Sequence, residues 1–299
     1  MEEVEEGAAP QHTLWRRIID FPLIALLVAA ALFIIANAVG IMIARALPPM
    51  DSTARLALTS AIDIALVLAA YKLLIVHLGE RPRDDLPLDG APRKLGLGLA
   101  IGFVLFSAVV GAAWIAGVYR IVGIGDTSNL ITTLIAMAIV PAFMEEVAFR
   151  GILFRWIEEF GGTWAGLIVS SALFGLAHIL NPNATWFSSF AIAMEAGVLL
   201  GGAYMLTRSL WVPMGLHAAW NFTQGEIFDV PVSGLDENGL VQAKLSGPDI
   251  LSGGQFGLEA SVIALVIATA AGVWLVVLAV RRGELVKPWW VRRRMLKAS

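Results

Sequence analysis

The chain has 299 residues, of which 58% are hydrophobic and 15% charged, and its mean hydropathy is +0.77. These values exclude an ordinary soluble globular domain, in which about 25% of the residues are charged. The chain has no cysteine, which excludes a disulfide framework, a thiolate metal site and a cysteine nucleophile. The net charge of −3 is small and defines no partner.

The long apolar runs predict an all-α fold, a polytopic membrane helix bundle with about eight transmembrane helices. A bilayer core about 30 Å thick needs about 20 apolar residues in a helix, because lipid cannot satisfy backbone polar groups. Pro, Gly and Asn clusters separate the runs and indicate turns. The predicted helices cover 18–46, 55–78, 93–119, 129–159, 163–180, 186–207, 210–227 and 258–281.

These helices and the segments between them predict the organisation of the chain. An acidic tail comes first, three helices follow, and the polar residues within spans then concentrate in a second group of helices. The predicted segments are the cytoplasmic N-terminal tail 1–17, helices 1–3 in 18–119, a catalytic core of helices 4–7 in 129–227, an exoplasmic loop 229–257, the last helix 258–281 and a basic cytoplasmic tail 282–299.

The distribution of Lys and Arg predicts the orientation. With both termini in the cytoplasm, sixteen of the 21 basic residues fall in inside segments and four in outside segments, while Lys72 lies within the second span. Cytoplasmic loops retain positive residues, so this excess predicts a multi-pass protein of the cell membrane with both termini cytoplasmic. The tail KPWWVRRRMLKAS is typical of an anchor to anionic membrane lipid, and no nucleic-acid partner is predicted.

Ionisable side chains at membrane depth are costly and indicate function. Here they concentrate in predicted helices 4 to 7. Helix 4 carries two adjacent glutamates and an arginine, and helices 5 and 7 carry two of the four histidines. The set comprises Glu145, Glu146, Arg150, His178, Glu195, His217 and Asn221.

Helical spacing places the two adjacent glutamates on different faces of the helix. Glu146 and Arg150 are four residues apart, so they share a helix face and are expected to form an ion pair. Glu145 is turned about 100° away and lacks this partner. We therefore expect Glu146 to be held ionised and Glu145 to exchange protons, since a carboxyl in an apolar setting suits general acid–base chemistry.

Depth in the membrane brings the histidines towards Glu145. Glu145 lies sixteen residues before the turn at Gly161 and His178 seventeen after it, so both are expected at the same height of a helical hairpin. His217 and Asn221 share one face of the seventh helix by their i,i+4 spacing. One carboxylate, two imidazoles and a carboxamide are thus predicted to converge in a membrane-embedded polar cavity.

Two chemistries are open to this set. In the first, Glu145 takes a proton from water, His178 positions the water, and His217 with Asn221 stabilises an oxyanion. In the second, Glu145, His178 and His217 hold Zn²⁺ or another divalent metal, with one coordination position left for water. The sequence contains neither HExxH nor GxSxG and does not choose between these two arrangements.

The same residues carry a family resemblance. EEVAFRG at 145–151, FGLAH at 174–178 and HAAWN at 217–221 match the EExxxR, FxxxH and HxxxN signatures of the CAAX-protease and bacteriocin-processing family, whose eukaryotic members include the Ras-converting CAAX endopeptidase. The chain resembles this family over about 129–226. The resemblance implies an eight-helix bundle that hydrolyses a peptide bond of a membrane-associated protein or peptide.

Roles for individual residues follow from the resemblance. Glu145 is implied as the glutamate that activates water, His178 as its partner, and His217 with Asn221 as the oxyanion site. Glu146 and Arg150 are implied as supporting motif residues. The metal requirement of the family is unsettled, so the resemblance implies either a glutamate protease or a metalloprotease.

Other interpretations of these residues stay open. The polar set also suits a non-catalytic membrane partner, of the bacteriocin-immunity or scaffold type, in which the side chains only join helices. A proton-coupled transporter is favoured less, because the sequence shows neither broken helices nor an inverted repeat. Phe174 is interpreted as packing that shapes a cavity wall. Glu195 and the loop 229–257 have no assigned role.

Overall fold

The computed structural model describes residues 14–298 and consists mainly of α-helices. Seven helices in this part of the chain are long and apolar enough to cross a membrane. The prediction of an all-α polytopic membrane bundle is therefore confirmed. Residues 1–13, which hold most of the predicted acidic tail, lie outside the described residues.

The helices largely follow the predicted apolar runs. Short 3₁₀ turns occur at Ile75–His77, Gly254–Phe256 and Leu258–Ala260. The helices are α1 (Leu14–Ile19), α2 (Pro22–Ala46), α3 (Ser52–Leu73), α4 (Ala91–Ile115), α5 (Leu130–Gly161), α6 (Thr163–Leu180), α7 (Trp186–Thr207), α8 (Trp211–Phe222), α9 (Asp249–Ser252), α10 (Val262–Arg281) and α11 (Trp289–Ala298).

The first predicted helix, 18–46, is interrupted between α1 and α2. Phe21 has an extended backbone, with φ −63° and ψ 127°, as expected for a residue that precedes proline. Pro22 then begins α2, where its missing N–H leaves no donor unsatisfied. The side chain of Asp20 accepts a hydrogen bond from the backbone N–H of Gly79 at 3.0 Å, which ties this break to the turn after α3.

The sequence predicts residue 119 at the end of the third helix, but this residue begins a strand. α4 ends at Ile115 and Gly117 takes a φ of +73°, which a helix does not allow. β1 (Tyr119–Ile124) pairs antiparallel with β2 (Val241–Leu245), so Tyr119 lies opposite Leu245. The predicted polar loop 229–257 thus contains a strand, which alternating apolar residues in VQAKL stabilise against β1.

The seventh predicted helix is α8, which a π-helical turn, Thr223–Ile227, extends. It is shorter than the seven apolar helices, and nine of the twelve residues of α8 are buried. Close packing against α4 holds it in the bundle. A Cβ atom on Gly98 would lie 2.2 Å from the carbonyl oxygen of Val212, and one on Gly215 would lie 2.4 Å from that of Leu95. These glycines let the two backbones touch and fix the depth of α8.

α5 and α6 form the predicted hairpin. α5 ends at Gly161 and α6 begins at Thr163, while Gly162 between them has a φ of +87°. This left-handed conformation favours glycine and reverses the chain within one residue. The turn brings the face of α5 that carries Glu146 and Arg150 beside α6 and α7.

Candidate active site

Glu146 and Arg150 form the expected ion pair, and it is completely buried. Nη1 of Arg150 donates to Oε1 of Glu146 at 2.8 Å, and both side chains have 0% exposure. Such a pair stabilises a protein only when further hydrogen bonds satisfy its remaining polar atoms. Nη2 of Arg150 meets this need in part, since it donates to the carbonyl oxygen of Ala196 at 3.2 Å and to that of Gly197 at 3.4 Å.

The acceptors for Arg150 come from a local change of helix type. Residues Ala193–Gly197 of α7 form a π-helical turn, and a second π-helical segment, Val147–Phe154, follows Glu146 directly in α5. A π-helical turn shifts the backbone hydrogen bonds and often marks a functional site. Here it leaves carbonyl oxygens of α7 in reach of the guanidinium group.

His217 connects this ion pair to the second glutamate. Its Nδ1 lies 3.0 Å from Oε1 of Glu146, and its Nε2 lies 4.0 Å from Oε2 of Glu145. An ionised carboxylate only accepts hydrogen bonds, so Nδ1 carries the proton and donates to Glu146. Glu146 therefore fixes the orientation of the imidazole ring and leaves Nε2 directed to Glu145.

Glu145 differs from Glu146 in its surroundings. Its side chain is 33% exposed, whereas that of Glu146 is fully buried. Its Oε2 atom is enclosed and has no hydrogen-bond partner among residues 14–298. A separation of 4.0 Å from His217 is too long for a direct hydrogen bond but short enough for one water to bond both groups. Glu145 is thus the less constrained carboxylate, as its position on α5 predicts.

His178 lies at the end of α6, in a 3₁₀ turn at His178–Leu180. Its Nδ1 is 2.8 Å from the carbonyl oxygen of Phe174, one turn earlier. A carbonyl oxygen only accepts, so Nδ1 is protonated and Nε2 is the nitrogen left for chemistry. Among residues 14–298, both histidine–carboxylate contacts within 4.0 Å belong to His217.

The expected meeting of Glu145 with His178 across the hairpin is therefore not a direct contact in this structure. The equal depth expected for these two residues requires two regular α-helices. The π-helical segment after Glu146 and the 3₁₀ turn at His178 change the rise and rotation of both helices at that level.

Asn221 lies one turn after His217 on α8. Its Nδ2 donates to the carbonyl oxygen of Met137 on α5 at 2.9 Å. Met137 lies in the π-helical segment Leu134–Ile139, just before Pro141, which has no N–H to donate to the preceding turn. This irregular backbone leaves the carbonyl oxygen that orients the Asn221 carboxamide. A proline within a long apolar helix was the sequence signal for this contact.

Phe174 is more than general packing. Its ring is buried, and the Cζ atom of Arg150 lies over it at 4.5 Å from the centroid. The imidazole rings of His178 and His217 lie 4.8 Å and 6.2 Å from the same centroid. One aromatic ring therefore contacts the guanidinium group of Arg150 and both imidazole rings, and it fixes their spacing.

A small cavity of about 20 Å³ lies among these residues. His178, His217 and Asn221 line it together with Phe174 and apolar side chains of α7. A volume of this size, with several polar groups in its wall, holds about one water molecule. Glu145 is not part of the lining and reaches this site through His217.

The wall of the cavity includes two polar residues that sequence reasoning missed, Ser233 and Glu259. Glu259 is a single acidic residue at the start of an apolar run, and this position is the sequence signal that could have identified it. Glu195, to which the sequence assigns no role, is buried in α7, and both of its carboxylate oxygens lack a hydrogen-bond partner in the described part of the chain.

The alternative metal set of Glu145, His178 and His217 does not fit a metal ion in this structure. Across residues 14–298, no group of three or more His, Asp or Glu side chains is placed to hold one. Nδ1 of both histidines is bonded, to Phe174 and to Glu146 respectively, so a ligand on either ring would bind Nε2.

Fold and site together define a multi-pass α-helical membrane protein with a buried Glu–His–Asn site on α5, α6 and α8. A family model described as "Type II CAAX prenyl endopeptidase Rce1-like" matches residues 127–223. The match covers all three motifs and confirms the resemblance; this family is one of peptidases. Comparisons with curated proteins and with solved structures find no match.

Proposed function

We propose that this protein is an intramembrane endopeptidase that hydrolyses a peptide bond of a membrane-associated protein or peptide. The observation that carries the proposal is the water-sized cavity lined by His178, His217 and Asn221, with Glu145 on the far side of His217. Water, a base and hydrogen-bond donors are the requirements of peptide hydrolysis without a covalent intermediate. The family match supports the same activity.

The proposed reaction assigns one role to each group. Glu145 accepts a proton from water while the water oxygen bonds to the peptide carbonyl carbon. His178 orients that water through Nε2. Asn221 donates a hydrogen bond to the oxyanion, and so does Nε2 of His217 in the imidazolium form, in which Nδ1 still donates to Glu146. The C–N bond then breaks as the amide nitrogen takes the proton from Glu145. Catalytic hydrogen bonds are often long before substrate binds, which suits the 4.0 Å separation of Glu145 and His217.

A large apolar groove supports a substrate that is held by the membrane. Its volume is about 610 Å³, and it runs between α4, α5 and α8. Ala142 and Phe143, just before Glu145, line it, as does Ala218, the neighbour of His217. A hydrophobic segment bound here would place a nearby peptide bond beside the site without leaving the apolar environment.

The ion pairs of the structure support the proposed location in the cell membrane with cytoplasmic termini. Arg208 pairs with Glu158 at 2.7 Å and with Glu284 at 3.3 Å, and Arg292 pairs with Glu159 at 2.6 Å. These contacts gather three segments that the charge distribution assigns to the cytoplasm at one end of the bundle. Helix ends that carry the basic residues therefore lie on the same side, as the orientation requires.

The test is hydrolysis by the purified full-length chain in lipid vesicles. Peptides are offered both with and without an apolar membrane anchor, and products are identified by mass spectrometry. We expect cleavage of anchored peptides and its loss in His178→Ala, while Glu158→Gln, far from the cavity, retains it. Equal cleavage by His178→Ala and the wild type would instead favour the non-catalytic membrane partner.

A further inference from the structure

Glu259 lies outside the segment that matches the family, yet its side chain lines the same cavity as His178, His217 and Asn221. It belongs to the 3₁₀ turn Leu258–Ala260, just before α10. The residue is 4% exposed. A buried carboxylate at a water-sized cavity needs a physical explanation, because burial of a charge is costly.

Three hydrogen bonds hold this carboxylate. Oε1 accepts from Nε1 of Trp220 at 3.1 Å, and Oε2 accepts from the backbone N–H of Ser233 at 2.7 Å and from its Oγ at 3.0 Å. All three donors are neutral. Among the described residues, no Lys, Arg or His nitrogen lies within ion-pair distance of Glu259.

Both residues that donate hydrogen bonds to Glu259 lie close to the catalytic residues. Trp220 lies between His217 and Asn221 in sequence, and its ring packs edge-on against Phe106 of α4 with centroids 5.0 Å apart. Ser233 belongs to the segment that follows α8, and its carbonyl oxygen accepts a hydrogen bond from Nδ2 of Asn181, just after His178, at 3.1 Å. Through these two partners, Glu259 is connected to the chain next to His178, His217 and Asn221.

We propose that Glu259 is a positioning residue of the hydrolytic site, which holds Trp220 and Ser233 in place so that the cavity stays closed around one water between His217 and Asn221. This inference rests on the proposed function. We name the arrangement of Glu259, Trp220 and Ser233 the clamp. The clamp contains three hydrogen-bond donors, and each of them needs an acceptor on residue 259. A carboxylate satisfies all three donors, and a neutral amide of the same length does not.

Glu259→Gln tests the clamp in the full-length chain in vesicles. Glu158→Gln is the matched control, since Glu158 is also fully buried and hydrogen-bonded but lies at the other end of the bundle, with Thr163 and Arg208. A displaced catalytic group costs on the order of 10²-fold in rate. We expect Glu259→Gln to lower kcat at least about 10-fold with KM changed less than about 3-fold, and Glu259→Asp to recover part of the loss.

A labelling experiment tests the clamp without turnover. The chain has no cysteine, so Leu200→Cys, at a cavity position with 2% exposure, introduces the only thiol. Opening of the cavity exposes this thiol to a water-soluble maleimide. We expect Glu259→Gln to raise the labelling rate about 10-fold or more, and Glu158→Gln to leave it unchanged.

The two measurements separate the inference from the proposed function. Unchanged labelling in Glu259→Gln, or a kcat that falls no further than in Glu158→Gln at equal loss of thermal stability, would overturn the role of Glu259. Absence of Glu145-dependent hydrolysis in the chain with an intact clamp would overturn the proposed function. In that event the labelling rates still decide whether the clamp closes the cavity.

Discussion

Oε1 of Glu146 receives two hydrogen bonds, from Nη1 of Arg150 at 2.8 Å and from Nδ1 of His217 at 3.0 Å. One carboxylate oxygen therefore joins the ion pair of α5 to the histidine of α8. A purely structural pair would need only the first bond. The second bond makes Glu146 the group that sets the orientation and proton position of His217.

Replacement of Glu146 by glutamine tests this orienting role. The amide keeps the length of the side chain but loses the charge that fixes the His217 proton on Nδ1. We expect kcat to fall on the order of 10- to 100-fold, as for other groups that orient a functional histidine. Steady-state kinetics of Glu146→Gln beside Glu158→Gln measure the effect. A kcat equal to that of the control would show that Glu146 does not orient His217.

The ion pair itself predicts a change in stability. Arg150→Met leaves the buried charge of Glu146 without its partner, which costs about 3–5 kcal/mol in free energy of unfolding. The double variant Glu146→Leu/Arg150→Met removes both charges and is expected to recover much of this loss. Reversible unfolding in detergent gives both values. Equal destabilisation by the single and the double variant would contradict the pairing.

Asn221 has a predicted role in the transition state. Met137 holds one hydrogen of its carboxamide, and the second stays available for an oxyanion. Asn221→Ala removes one donor and is expected to lower kcat about 10²–10³-fold with little change in KM. Kinetics of Asn221→Ala measure the loss, with Ser128→Ala in the exposed turn before α5 as the control. A change confined to KM would assign Asn221 to substrate binding instead.

Glu237, in the segment between α8 and β2, predicts a pH dependence of stability. Burial raises its pKa above the ordinary value of 4.5, the nearby charges of Glu226, Asp229 and Asp236 add to this, and a hydrogen bond from Thr133 opposes it. Stability contributed below pH 4.5 is therefore lost as pH rises from 4.5 through the raised pKa.

We expect Glu237→Gln to be more stable than the wild type at neutral pH and to lose less stability between pH 5 and pH 7. Melting temperatures across this range provide the measurement. Asp89→Asn, an exposed site in the loop before α4, serves as the control. Parallel pH profiles for Glu237→Gln and the wild type would contradict the prediction.

Local periodicity was sufficient for the helices and for the Glu146–Arg150 pair, because both depend on residues within one or two helical turns. It did not predict the bond between Glu146 and His217, which are 71 residues apart. That contact depends on how deeply α8 packs, and the glycine contacts with α4 set this depth. The strands β1 and β2 were missed for the same reason, since neither has a stable structure without the other.

Sequence periodicity also did not predict the π-helical turns. They disturb the regular rise on which the expected Glu145–His178 contact depended, and they supply the carbonyl oxygens of Ala196 and Gly197 for Arg150. Pro141 was the one visible sign of irregular hydrogen bonding in α5. The three motifs did indicate the residues of the site, since three of the four predicted catalytic residues line one cavity.

The central claim is that Glu145 takes the proton from the attacking water. Single-turnover cleavage of a membrane-anchored peptide by the wild type and by Glu145→Gln, both in vesicles and matched in melting temperature, tests it most directly. Loss of a general base predicts a rate at least about 10²–10⁴-fold lower in Glu145→Gln. A Glu145→Gln rate within about 3-fold of the wild type would contradict the claim, because general-base catalysis contributes far more than that.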